Sequence, residues 1–222
     1  IAIEIEGIDV EWYALPVPSL TIQPGESRTA RVLFRVGRSS DVAAGTYPFL
    51  VRARGMESGE TGVQPATLTV KPFSALQLEL EPKRATSTLF YRAPVFDVRI
   101  TNLGNREETL DLFAGDDENY CAYEFERDRV TVRPGGSVTV QMVAEPKSRP
   151  IIGSSRLFQF SVTVRSPSDP CVTAAVTGQL ERKAVFSAVF AAVVLVAVLA
   201  GVGFWMWRPK PVVVRSFTAD PM

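Results

Sequence analysis

Residues 184–207 read AVFSAVFAAVVLVAVLAGVGFWMW, a run without one charged side chain. As an α-helix it would extend about 36 Å, more than the roughly 30 Å hydrocarbon core of a bilayer. Helices buried in soluble cores rarely run so far without a polar residue, and the run lies too deep in the chain for a cleaved leader. One transmembrane α-helix is therefore expected, with the membrane lipid bilayer as its partner. Arg182 and Lys183 stand before it and Arg208 after it, while Phe204, Trp205 and Trp207 form an aromatic end suited to headgroup depth. Ala184, Ala188, Ala191 and Ala192, with Ala197 and Gly201, offer small residues at spacings of three and four, a surface for close packing against another helix.

Everything before this run is patterned for β-structure. SALQLELEP places Leu76, Leu78 and Leu80 on one face and Gln77, Glu79 and Glu81 on the other, the period of a half-buried strand. VFDVRITNLGN repeats the pattern with Phe96, Val98 and Ile100 inward, then closes in a turn at Asn102–Asn105. ETLDLFAG, YCAYEFERDRVTV, SVTVQMVAE, LFQFSVTVR and VTAAVTGQL follow, bounded by Gly, Pro, Asp or Ser. Seven short strands, each with one wet face, predict an Ig-like antiparallel sandwich over residues 73–182. No segment before Ala184 carries a helical period.

The first 72 residues repeat this unit. LTIQPGES at 20–27 aligns with VTVRPGGS at 130–137, and YPFLVRAR at 47–54 with FQFSVTVR at 158–165. TLTVKP, from position 67, falls opposite the closing strand of the second copy. On this alignment Ile1 corresponds to about Asp111, in the third strand of the second copy. Residues 1–72 are thus expected to be the C-terminal part of an Ig-like sandwich whose first two strands precede the chain, which begins with Ile and not Met. The fold class expected is all-β, tandem Ig-like antiparallel β-sandwiches followed by one transmembrane α-helix.

The run VGRSSDVAAGTYPFLVRARG…ATLTVKPF, then VFDVRITNLGN, DDENYCAYEFERDRVTVRPG and FQFSVTVRS…VTGQLE resembles the tandem Ig-like modules of bacterial proteins related to the NPCBM-associated domain. That domain accompanies carbohydrate-binding modules in alpha-galactosidases, and tandem copies also occur in bacterial membrane proteins loosely labelled "hydrolytic protein". The resemblance covers about residues 1–182 and implies a non-catalytic β-sandwich in a bacterial membrane protein. In the tail at 208–222, VVVRSFTADP is similar to the opening strand of another such module.

Composition narrows the chemistry. The 222 residues hold 24 Lys+Arg, 24 Asp+Glu, no histidine and two cysteines. Zero net charge leaves no basic face for nucleic acid. Without histidine, Ser-His-Asp and Cys-His catalysis and His-ligated metals are excluded. The acidic run Asp116, Asp117, Glu118, Asn119 lacks the alternating spacing that wraps a loop around Ca²⁺ and reads as a solvated turn. Glu4 with Glu6, and Glu79 with Glu81, are spaced like glycosidase carboxylates but alternate with core aliphatics, as any wet strand face does. Trp12 and Tyr13 read as a core plug in preference to a sugar platform, and GMESGETG at 55–62 as a solvated loop. No enzyme activity, catalytic residue, metal site or cofactor is expected.

Cys121 and Cys171 fall at opposite ends of the expected sandwich, too far apart for a disulfide, so both are expected unpaired. Basic residues on the two sides of the helix tie, leaving orientation open under the positive-inside rule. Relatives implied by the resemblance often have no obvious signal peptide, which favours β modules in the cytoplasm at a bacterial cell membrane. The expected function is a membrane-anchored scaffold whose modules dock a protein partner or large assembly, for instance a contractile injection particle. Two alternatives stand beside it: an accessory single-pass subunit of an integral membrane complex, and a cell-surface carbohydrate-binding or hydrolase-associated module.

Overall fold

Alternation at period two dictates strands, and strands form. A computed structural model describes residues 1–88, 90–148, 152–184 and 186–207. Strands β1 (Ala2–Glu6), β2 (Tyr13–Ala14), β3 (Leu33–Phe34), β4 (Gly45–Arg54) and β5 (Thr61–Val70) occupy the first 72 residues. The order β1-β4-β5 makes an antiparallel sheet, and β2 pairs with β3 beside it. Ile5 and Phe49 are buried on one face of that sheet, with Phe34 tilted against Phe49 at 5.4 Å.

From residue 76 the chain builds a fuller sandwich. Its strands are β6 (Leu76–Glu81), β7 (Arg84–Ser87), β8 (Val95–Asn102), β9 (Glu108–Gly115), β10 (Cys121–Phe125), β11 (Arg129–Val132), β12 (Ser137–Pro146), β13 (Ile152–Gly153), β14 (Arg156–Arg165), β15 (Thr173–Arg182) and β16 (Phe186–Ser187). One sheet has the order β10-β12-β8-β6 and the other β11-β9-β14-β15-β7. Phe96, Val98 and Ile100 from the first sheet meet Phe160, Val162 and Val164 from the second. Each such side chain stabilises the fold by about 1.5–3 kcal/mol relative to exposure. Phe96 and Phe160 pack edge to face at 5.1 Å. Gly178 lies beneath this contact, where a Cβ would collide with Phe160 and Leu80.

The order β1-β4-β5 matches the pairing order of β9-β14-β15 in the second sheet of the sandwich. Tyr13 stands opposite Phe34 as Tyr123 stands opposite Ala144.

Two strand expectations are corrected. The single strand expected over YCAYEFERDRVTV is two strands, β10 in one sheet and β11 in the other. Its inward positions switch from odd (Cys121, Tyr123, Phe125) to even (Val130, Val132) across the charged turn Glu126–Asp128. A straight strand cannot change parity, so the chain crosses between sheets there. Strand β7 was unforeseen, because RATS has no apolar alternation. It is ordered by parallel pairing with β15 at the sheet edge.

The helix α1 spans Ala188–Trp207, shorter than the expected 184–207. Ala184 is outside it, and Phe186–Ser187 are drawn into a parallel ladder with Ile152–Gly153. Among the described residues no helix is long and apolar enough to cross a membrane. The side chains at positions 188 and 191, within α1, lie outside those residues, as does the whole tail at 208–222.

Candidate functional site

Two places combine built geometry with exposure, one at each end of the sandwich. The first is the joint between the amino-terminal sheet and the sandwich. Asn102 is fully buried, and its Nδ2 donates to the carbonyls of Arg106 at 2.8 Å and Val132 at 3.0 Å. Its Oδ1 accepts from Gly104 N at 2.9 Å, which closes the Asn102–Asn105 turn. The turn then grips the segment linking the two sheets. Asn105 Oδ1 accepts from Phe73 N at 2.8 Å, its Nδ2 donates to Lys71 O at 3.2 Å, and its carbonyl accepts from Ala44 N at 2.9 Å. Gly104 has to be glycine, since a Cβ there would sit 2.6 Å from Phe73 O. Glu108, 3% exposed, accepts from Ser74 Oγ at 2.5 Å and Arg106 Nε at 2.7 Å. The Arg38 guanidinium lies 4.7 Å above the Phe73 ring. An open groove of about 340 Å³ runs along this joint, lined by Val36, Arg38, Lys71, Phe73 and Asn105.

Sequence reasoning read Asn102–Asn105 only as a turn and missed the joint. The usable signal was a second asparagine after a glycine, beside a linker whose backbone groups needed partners.

The second place is the opposite end, where the chain enters α1. Arg182 Nη1 donates to Ser148 O at 3.1 Å and Oγ at 2.9 Å, and its guanidinium lies 5.3 Å from the Phe158 ring. Arg156 lies 5.2 Å from the Tyr120 ring. Lys183 is exposed and donates its backbone N–H to Ser87 O at 3.0 Å. On α1 itself, Phe204, Trp205 and Trp207 are exposed, the last at 90%. Of the expected packing surface, Ala192, Ala197 and Gly201 are exposed on the helix, Ala184 is not helical, and the side chains of Ala188 and Ala191 are outside the described residues. Arg208 also lies outside them.

The remaining candidates resolve into structural roles. Asp116 Oδ1 accepts from Tyr120 N at 2.7 Å, and its Oδ2 from Cys121 N at 3.1 Å and the Tyr123 hydroxyl at 3.0 Å. Burial pushes the Asp116 pKa up, but these donors more than offset it and hold the carboxyl below the usual range. Burial, with Asp116 and Cys121 adding to it, pushes the Tyr123 pKa well above that of a free phenol. Glu6 pairs with Arg52 at 2.9 Å, and Gln77 donates to Glu79 at 3.0 Å. Trp12 packs edge-on against Tyr47 at 5.0 Å. Among the described residues no three His, Cys, Asp or Glu converge as metal ligands. Both cysteines are free: Cys121 is buried, with its thiol pKa raised by that burial, and Cys171 is exposed.

No family model matches the chain, and no curated protein matches it. Several solved structures align over about half of it. The E. coli chaperone DraB is 10% identical, covering 49% of this chain and 55% of its own, with a TM-score of 0.37. A PapD-like domain of human CEP192 is 14% identical over 48% of this chain and 84% of its own, at 0.34. The C. elegans MSP family member WR4 is 8% identical over 48% and 96%, at 0.30. The chain thus spans about half the length of DraB, and likenesses this distant carry no functional argument.

Proposed function

We propose that this chain is a non-catalytic scaffold held at a membrane by α1, with tandem β modules that dock a protein partner on the cytoplasmic side. The observation that supports the reading is the uncharged sequence run at 184–207, most of which folds as α1. Its 20 residues include no charged or strongly polar side chain. Val189, Leu195, Val196 and Leu199 are each at least 60% exposed on it. A helix apolar on every side has no face suited to water, so it belongs in a core or a bilayer. Together with residues 184–187 before it, the uncharged run would reach about 36 Å as one continuous helix, against a hydrocarbon core of about 30 Å. The joint supports the scaffold part, because a hydrogen-bonded, packed connection presents two modules as one stiff unit.

Cys171 provides the test, since it is exposed on the sandwich whereas Cys121 is buried. An impermeant maleimide applied to intact cells is expected to leave the chain unlabelled, with labelling after permeabilisation. Labelling in intact cells would contradict the cytoplasmic placement.

A further inference from the structure

We propose that the turn between β7 and β8 is a second membrane contact, inserting Phe90 and Tyr91 into the lipid headgroup layer beside the start of α1. The inference rests on the membrane reading above. Strand β7 pairs in parallel with β15, with Ser87 opposite Arg182. Parallel strands leave a sheet in the same direction, so the chain after Ser87 and the chain after Arg182 emerge together. Lys183 N–H donates to Ser87 O at 3.0 Å, which fixes them side by side. From Lys183 to the first residue of α1 the chain reaches at most about 18 Å, so the turn lies close to wherever the helix enters lipid.

The turn is built. Thr88 N donates to Tyr91 O at 2.8 Å, Tyr91 N donates to Thr88 Oγ1 at 3.1 Å, and Ser87 Oγ donates to Arg92 O at 2.7 Å. On this braced tip Phe90 is 96% exposed and Tyr91 54%. Turn tips in water favour Gly, Asn, Asp and Pro, and a fully exposed phenylalanine there has no packing role. Aromatic rings of this kind are enriched at headgroup depth, where one end is apolar and the other wet. A second contact beside the helix would also restrict tilting of the sandwich over the bilayer.

The full chain in phosphatidylcholine nanodiscs, with Cys171→Ser as background, tests this by nitroxide accessibility at Phe90→Cys, Met56→Cys and Leu195→Cys. Met56 is an exposed loop residue after β4, at the end of that strand away from the joint. The label at 90 is expected to collide with a water-soluble nickel chelate about fivefold less than the label at 56, while its collisions with oxygen rise. Tyr91→Cys is expected to repeat the pattern. A label at 195 shielded from nickel with one at 90 as accessible as that at 56 would overturn the proposal and leave the membrane helix standing. A fall in both nickel and oxygen collisions at 90 would mean protein cover and would also overturn it. Free nickel access at 195 would remove the membrane reading and this proposal together.

Discussion

Asn105 uses its side-chain amide and its carbonyl to satisfy backbone groups of Lys71, Phe73 and Ala44, which no strand ladder serves. Asn105→Ala would leave Phe73 N–H and Lys71 C=O without these partners, at a cost of about 1–3 kcal/mol. Hydrogen exchange is expected to accelerate at the Phe73 amide while the amides of β8 and β12 keep their protection. Asp116 gives a pH signature. Folding lowers its pKa, so its stabilisation is fully present above the ordinary aspartate value and is lost as pH falls through the lower folded-state value. Wild-type melting temperature should therefore be flat near neutrality and fall in strong acid. Asp116→Asn should melt lower at pH 7 and show a shallower acid decline, as read by thermal denaturation monitored by circular dichroism. Neither role was legible beforehand. A sequence shows an asparagine in a turn and an acid in a run, while the partners of the Asn105 amide lie in the linker at 71–73 and the donors to Asp116 converge only once the chain has turned into β10.

At the level of elements, alternation was the legible part. Inward positions of β6 and β8 follow directly from period two, and Phe96, Val98 and Ile100 are buried as that pattern requires. The parity switch between Phe125 and Val130 was also written in the chain, yet a continuous β-rich run concealed it. Strand β7 was not readable, because its order comes from a neighbour and not from its own residues. Gly178 in β15 is a packing requirement of the same tertiary kind. Gly178→Val should cost about 1–3 kcal/mol through overpacking, seen as a lower urea midpoint. In α1 a charge at mid-helix separates the bilayer from a protein core. Under the proposed membrane reading, Leu195→Lys would oppose insertion by about 2.5–3.5 kcal/mol, and the variant chain should shift from membrane to soluble fractions.

Across the whole molecule, the joint and α1 sit at opposite ends of the sandwich. The ten residues of β15 run from the Thr173 end, near the joint, to Arg182, where the chain turns toward α1. That strand spans about 33 Å, which sets the height at which the amino-terminal sheet stands above the helix entry. Composition hid this arrangement. The zero net charge and unexceptional apolar content are averages over a wet-faced sandwich and one helix without charge. The central claim is that α1 holds these modules in a bilayer. Alkaline carbonate extraction of membranes from cells making the full chain tests it most directly. The chain is predicted to stay in the membrane pellet until detergent is added, and release into the carbonate supernatant would contradict the account.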